Sequence, residues 1–179
     1  WPSLWMLGSN ISTVGWPKCG EIDIMEQKCW DKTKISAALH NQSSSANTIN
    51  VKLIDAPTST TAFHIYSVNW TPDEIVFSID GNEYYTYSPE NKTEDNWPYD
   101  KPQFIILNVA MGGNTGGQIP EDFNESSMEI DYVRVYQQST LSSNSALNIQ
   151  TTRIYPNPVG DLLNIQFKNS QSQQAVLNV

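Results

Sequence analysis

Gly20-Glu21-Ile22-Asp23-Ile24-Met25-Glu26 is the stretch whose reading decides the rest of the chain. In a regular strand, successive side chains point to opposite faces. Glu21 and Asp23 then share one face, and Ile22 and Ile24 point into a core. Strict alternation would send Glu26 inward, where an unpaired carboxylate is expensive. One extra residue near Met25, in a β-bulge, returns Glu26 to the face of Glu21 and Asp23. With the bulge, the Glu21 and Glu26 Cα atoms lie about 13 Å apart, four strand steps of roughly 3.3 Å. Two Glu side chains leaning together close much of that gap, so the spacing is compatible with a retaining glycosidase pair, whose carboxyls lie about 5–5.5 Å apart. Asp23 between them can hydrogen-bond and help keep one Glu protonated. On spacing alone, two other readings stay open: a solvated edge face, or a site for a hard cation.

Outward from this stretch, strand signals recur. The segments 34–40, 49–54, 63–70, 75–79, 83–87, 104–111 and 128–136 are short and rich in branched and aromatic residues. Asp80-Gly81-Asn82 marks a hairpin turn. No segment holds a sustained 3.6-residue apolar period, so helix content is expected to be low. The fold class is all-β, a sandwich or barrel. Gly112-Gly113-Asn114-Thr115-Gly116-Gly117 lacks the Lys and the strand-to-helix setting of a phosphate loop.

The 179 residues suit one main domain, and the net charge of −9 argues against nucleic acid as a partner. No apolar run approaches the roughly 20 residues that cross a bilayer as a helix. Cys19 and Cys29 flank an extended segment and are expected as free thiols. Composition turns Ser-, Asn- and Gln-rich after Tyr136. We therefore expect a domain at 1–137, a linker at 138–152, and the start of a second domain at 153–179. The opening Trp1-Pro2-Ser3-Leu4-Trp5-Met6-Leu7 is core-like, as in a piece of a longer protein.

Glu21-Ile22-Asp23-Ile24-Met25-Glu26 matches the Glu-x-Asp-x-x-Glu signature of glycoside hydrolase family 16, the laminarinase-type β-glucanases. Further segments resemble the same family in order: Trp1 to Leu7, Phe63-His64-Ile65-Tyr66 with Trp70, Ile79-Asp80-Gly81, Leu107-Asn108-Val109-Ala110-Met111-Gly112-Gly113, and Met128-Glu129-Ile130-Asp131-Tyr132-Val133-Arg134-Val135-Tyr136. The resemblance implies a concanavalin-like β-jelly-roll sandwich, incomplete because family members carry several strands before the Trp-Pro segment. It implies retaining endo-hydrolysis of β-1,3-glucan, with mixed-linked β-1,3/1,4-glucan as a second substrate. Glu21 would be the nucleophile, Glu26 the acid/base and Asp23 the assisting carboxylate. It places His40 on the neighbouring strand in reach of the acid/base, Asn108 toward substrate, and Asp131 at a structural calcium site. Catalysis needs no cofactor. Trp16, just before the catalytic strand, can stack on a sugar face, whereas Trp5, Trp70 and Trp97 are expected in the core. Rival readings are a hydrolase of red-algal galactans, agar or carrageenan, and a non-catalytic glucan-binding jelly roll. Ile154-Tyr155-Pro156-Asn157-Pro158 with Leu163-Asn164-Ile165 resembles the start of a type IX secretion C-terminal sorting domain. That implies export to the cell surface or medium through the secretion machinery.

Overall fold

The computed structural model describes residues 1–137 and the backbone of three short strands at 153–155, 164–166 and 175–178. The expected linker, 138–152, lies outside the described residues, as does most of the expected second domain. The strands run in chain order: β1 (Pro2–Gly8), β2 (Glu21–Gln27), β3 (Lys34–His40), β4 (Val51–Asp55), β5 (Tyr66–Trp70), β6 (Ile75–Ile79), β7 (Asn82–Tyr87), β8 (Gln103–Val109), β9 (Arg134–Gln137), β10 (Arg153–Tyr155), β11 (Asn164–Gln166) and β12 (Ala175–Asn178). Helix among the described residues is confined to single turns at Ile11–Val14, Pro98–Asp100 and Gly113–Gly116.

Two antiparallel sheets result, ordered β4-β3-β2-β1-β8 and β7-β6-β5-β12-β9, with β10 and β11 as a separate pair. Alternation explains what lies between the two sheets. Leu4 and Met6 of β1, Ile22 and Ile24 of β2, and Ile35 and Leu39 of β3 turn inward. They meet Tyr66, Val68 and Trp70 of β5 and Ile75 and Phe77 of β6. Each fully buried aliphatic or aromatic side chain contributes about 1.5–3 kcal/mol relative to exposure. Trp70 and Trp97 are core, as expected, and the Trp70 indole donates to the Tyr99 carbonyl. Cys19 and Cys29 are free thiols.

The bulge falls where the sequence requires it. On the β3 side, Asp23 pairs with Ala38 and Glu26 with Ser36, so three steps of β2 face two of β3. On the β1 side, Met25 pairs with Leu4 and Asp23 with Trp5. Ile24 and Met25 are therefore consecutive buried residues, and Glu26 emerges beside Glu21 and Asp23.

Two differences have local causes. The strand expected at 128–136 forms only as Arg134–Gln137. The residues before it pair with neither sheet, and Glu129, Ile130 and Asp131 are exposed. Trp5, expected in the core, faces the other way, because it shares the parity of Ser3 and Leu7 rather than that of Leu4 and Met6.

Gly20 sets the entry to β2. Its φ is +79°, and an added Cβ would sit 2.8 Å from the Pro98 ring. Its carbonyl accepts from Gly8 N–H at 2.9 Å, closing the loop between β1 and β2. A left-handed backbone costs a side-chain-bearing residue about 1–2 kcal/mol, and overpacking adds about 1–3 kcal/mol. Gly20→Ala should therefore lose about 2–4 kcal/mol of stability, read as a lower denaturant midpoint.

Candidate active site

The face of the first sheet turned away from the core carries the chemistry. Glu21, Asp23 and Glu26 of β2 lie opposite His40, Ala38 and Ser36 of β3, and opposite Leu7, Trp5 and Ser3 of β1. Ala38 beside Asp23, and Ser36 and Ser3 on either side of Glu26, are small and leave the carboxylates room. On β8, Asn108 pairs with Ser3 and joins this face. The site thus spans four adjacent strands and sits over the middle of the sheet.

Each carboxylate has a different surrounding. Glu21 accepts from Trp16 Nε1 at 2.7 Å, and His40 Nε2 lies 3.9 Å from its other oxygen. Burial, then the Asp23 charge, push the Glu21 carboxyl up to about 7, against the opposing pull of His40 and Trp16. Asp23 is almost wholly enclosed, and burial followed by repulsion from Glu26 drives its carboxyl well above the ordinary range. His40 Nε2 stands 3.1 Å from Asp23 Oδ2 without hydrogen-bond alignment. The Asp23 and Glu21 carboxyls lie within 4.8 Å of each other and titrate as a pair.

Glu26 is held quite differently. Trp1 Nε1 donates to Oε1 at 3.0 Å, and Lys28 Nζ donates to Oε2 at 3.0 Å. Both oxygens thus meet donors, which favours the carboxylate.

Of the residues singled out in the sequence, Glu21, Asp23, Glu26, Trp16, His40 and Asn108 come together on this face. Trp16 is 45% exposed, with its ring tilted over His40 at a centroid distance of 6.0 Å. His40 meets Glu21 and Asp23 rather than the outer Glu26, because the β3 register sets it across from Glu21 and sets Ser36 across from Glu26. Asn108 Oδ1 accepts from Trp5 Nε1 at 2.7 Å. Trp1, Trp5 and Lys28 were missed, although counting by twos from Ser3 and from Glu26 reaches all three.

Asp131 is exposed ahead of β9, and no described group of three acidic, His or Cys side chains includes it. Among the described residues, the one compact group is Glu21, Asp23 and His40, whose ligand atoms lie within 4.8 Å of one another. A metal ligand must be deprotonated, and the raised carboxyls of this group oppose that.

The family model for glycosyl hydrolases family 16 matches residues 1–134. The chain belongs to that family. It is 49% identical to the laminarinase from Flavobacterium sp. UMI-01 in a structural match with TM-score 0.64 that covers 65% of this chain and 51% of that one. It is 37% identical over 149 residues to a β-glucanase of Rhodothermus marinus, covering 76% of this chain and 52% of the relative. It is 33% identical over 159 residues to a keratan-sulfate endo-1,4-β-galactosidase of Sphingobacterium multivorum, covering 87% of this chain and 37% of the relative. The chain thus spans about half or less of these proteins, at 51%, 52% and 37%. The two facing antiparallel sheets are the β-jelly roll of this family.

The raised Glu21 carboxyl has a consequence for stability. Its folded value of about 7 lies above the ordinary value of 4.5. The stability it contributes is complete below pH ~4.5 and is lost as pH rises through ~7. Glu21→Gln removes this penalty while keeping an acceptor for Trp16. The variant should match wild type near pH 4 and exceed it at pH 8 by roughly 1–3 kcal/mol in urea unfolding. An advantage that shrinks with rising pH would contradict this account.

Proposed function

We propose that this chain carries the catalytic strand of a retaining endo-hydrolase of β-1,3-glucan, acting also on mixed-linked β-1,3/1,4-glucan. The observation that carries the reading is the bulged β2, which presents Glu21, Asp23 and Glu26 on one face, each with its own partners. A binding module needs aromatic and polar side chains but no such set of carboxylates. Laminarinase and β-glucanase relatives support glucan as the substrate class.

In the proposed reaction, Glu26 protonates the glycosidic oxygen and Glu21 attacks the anomeric carbon. The C–O bond to the leaving sugar breaks, and a glycosyl ester on Glu21 forms. Glu26, now a carboxylate, takes a proton from water, whose oxygen releases the sugar. Asp23, enclosed beside Glu21, is the assisting carboxylate. Trp16 offers an exposed ring to a sugar face, and Asn108 an amide to its hydroxyls. No step needs a cofactor. The Ser/Asn/Gln-rich segment and the Ile154-Tyr155-Pro156-Asn157-Pro158 motif support export to the cell surface or medium by a type IX sorting domain.

The keratan-sulfate galactosidase relative keeps a second reading in view, a galactan hydrolase on the same fold. Reducing-end release by the full-length protein from laminarin, lichenan, agarose and carrageenan separates the two. Laminarin should be cut fastest, and release from the galactans alone would replace glucan as substrate. Binding without any release would make the domain a lectin.

The two glutamates are separated by azide rescue. Glu21→Ala should lose laminarin hydrolysis by a factor of about 10³ or more and regain turnover with azide, giving the α-glycosyl azide. Glu26→Ala, with an activated aryl leaving group, should give the β-glycosyl azide. Exchanged products would reverse the roles.

A further inference from the structure

Lys28 follows the catalytic strand, and no part of the reading above uses it. Its ammonium and the Trp1 indole close on Glu26 from either side, each at 3.0 Å. The Lys28 and Glu26 side chains are 17% and 12% exposed, so the pair is largely shielded from solvent. Neither donor can accept a hydrogen bond. Two N–H donors, one of them charged, therefore favour the carboxylate over the acid, yet the first step of the proposed reaction needs the acid.

Of the two donors, Lys28 carries the charge that opposes the acid form. Trp1 presents a rigid ring whose single N–H is already committed. Lys28 has a flexible four-carbon stem and three rotatable donors. Oε2 is therefore the oxygen that can be freed. The other titratable groups on this face are Glu21 and Asp23 of β2, His40 and Lys34 of β3, and Asp55 of β4. Lys34 and Asp55 pair with each other, and His40 faces Glu21 and Asp23. Lys28 is the one cation among the described residues in salt-bridge contact with Glu26.

We propose that Lys28 is a displaceable counter-ion for Glu26, clamping it as a carboxylate in the empty cleft, leaving Oε2 when a sugar enters, and returning once the leaving group has taken the proton. This rests on the acid/base reading of Glu26. Atoms balance without Lys28 giving up a proton. Glu26 takes a proton from solvent as Lys28 leaves Oε2 and passes it to the departing sugar oxygen; the carboxylate so formed regains the ammonium, deprotonates water, and returns that proton to solvent. Lys28 is thus a positioning residue that opposes the acid form and supports the base form.

The test is the pH dependence of kcat/KM, whose limbs report groups of the free enzyme. Wild type, Lys28→Met and Lys28→Arg are compared in the full-length protein on a laminarin oligosaccharide. Without the ammonium, Glu26 stays protonated to higher pH, so the basic limb in Lys28→Met should move up by about one pH unit. The acid limb, set by Glu21, should move less, because Lys28 is not among the charges acting on Glu21. Lys28→Arg keeps the charge and should follow wild type. A basic limb that stays put in Lys28→Met, whatever the change in thermal midpoint, reduces Lys28 to a structural role and overturns the proposal. So does an equal shift in Lys28→Arg. Azide rescue of Glu26→Ala, run alongside, tells the two failures apart. Rescue with an unmoved limb removes Lys28 alone, whereas no rescue removes the acid/base reading and the Lys28 proposal with it.

Discussion

A single extra residue in β2 decides where every charged group of the cleft can stand. Three steps of β2 are matched to two of β3, so Ile24 and Met25 both turn into the sandwich. The core gains two adjacent apolar side chains, and the outer face gains a third carboxylate. Without the extra residue, Glu26 would point at Tyr66, Val68 and their neighbours, where an ionised carboxylate has no partner. The burial of Met25 and the exposure of Glu26 are thus one event. Changing the local count by one residue would damage both the core and the site.

Crowding three carboxylates on one face would be costly if all three ionised. The structure avoids this by giving them unequal surroundings. Trp16 reaches Glu21 from the loop before β2, while Trp1 and Lys28 reach Glu26 from β1's start and β2's exit. Asp23 lies deepest, and burial drives its carboxyl well above the ordinary range. Burial raises Glu21, while Glu26 meets one donor on each oxygen.

Much of this could be read from the chain before any coordinates. The alternation of Glu21 to Ile24, together with the cost of an inward Glu26, was enough to require the bulge. The hairpin at Asp80-Gly81-Asn82 and strands β2 to β8 followed from residue type and turn chemistry, whereas β1 came from the family resemblance and β12 was not anticipated. The errors have physical causes. Residues 128–133 have strand-like composition, but a strand also needs a neighbour to pair with, and these residues have none in the described fold. Trp5 was assigned by its size, when its parity with Ser3 already placed it on the outer face. Which carboxyl is raised depends on depth and on donors from three separate segments, and a one-dimensional pattern does not carry that information.

The position of β2 within its sheet explains why such a crowded face can remain ordered. In the order β4-β3-β2-β1-β8, β2 is central and is hydrogen-bonded along both edges. Its backbone cannot relax by peeling away from either neighbour, so repulsion among the carboxylates is met by protonation rather than by movement. The flanking histidine is held as firmly. The His40 carbonyl accepts from Tyr99 Oη at 3.1 Å, and Asn41, fully buried, donates to that same hydroxyl at 3.2 Å. Tyr99 itself packs edge-on against Trp97 within the core. Rigidity therefore runs from the aromatic end of the core, through Asn41 and Tyr99, to the end of β3 that faces Glu21. A site that acts by holding opposed charges a few ångströms apart needs such a frame, because any backbone freedom would be spent separating the charges.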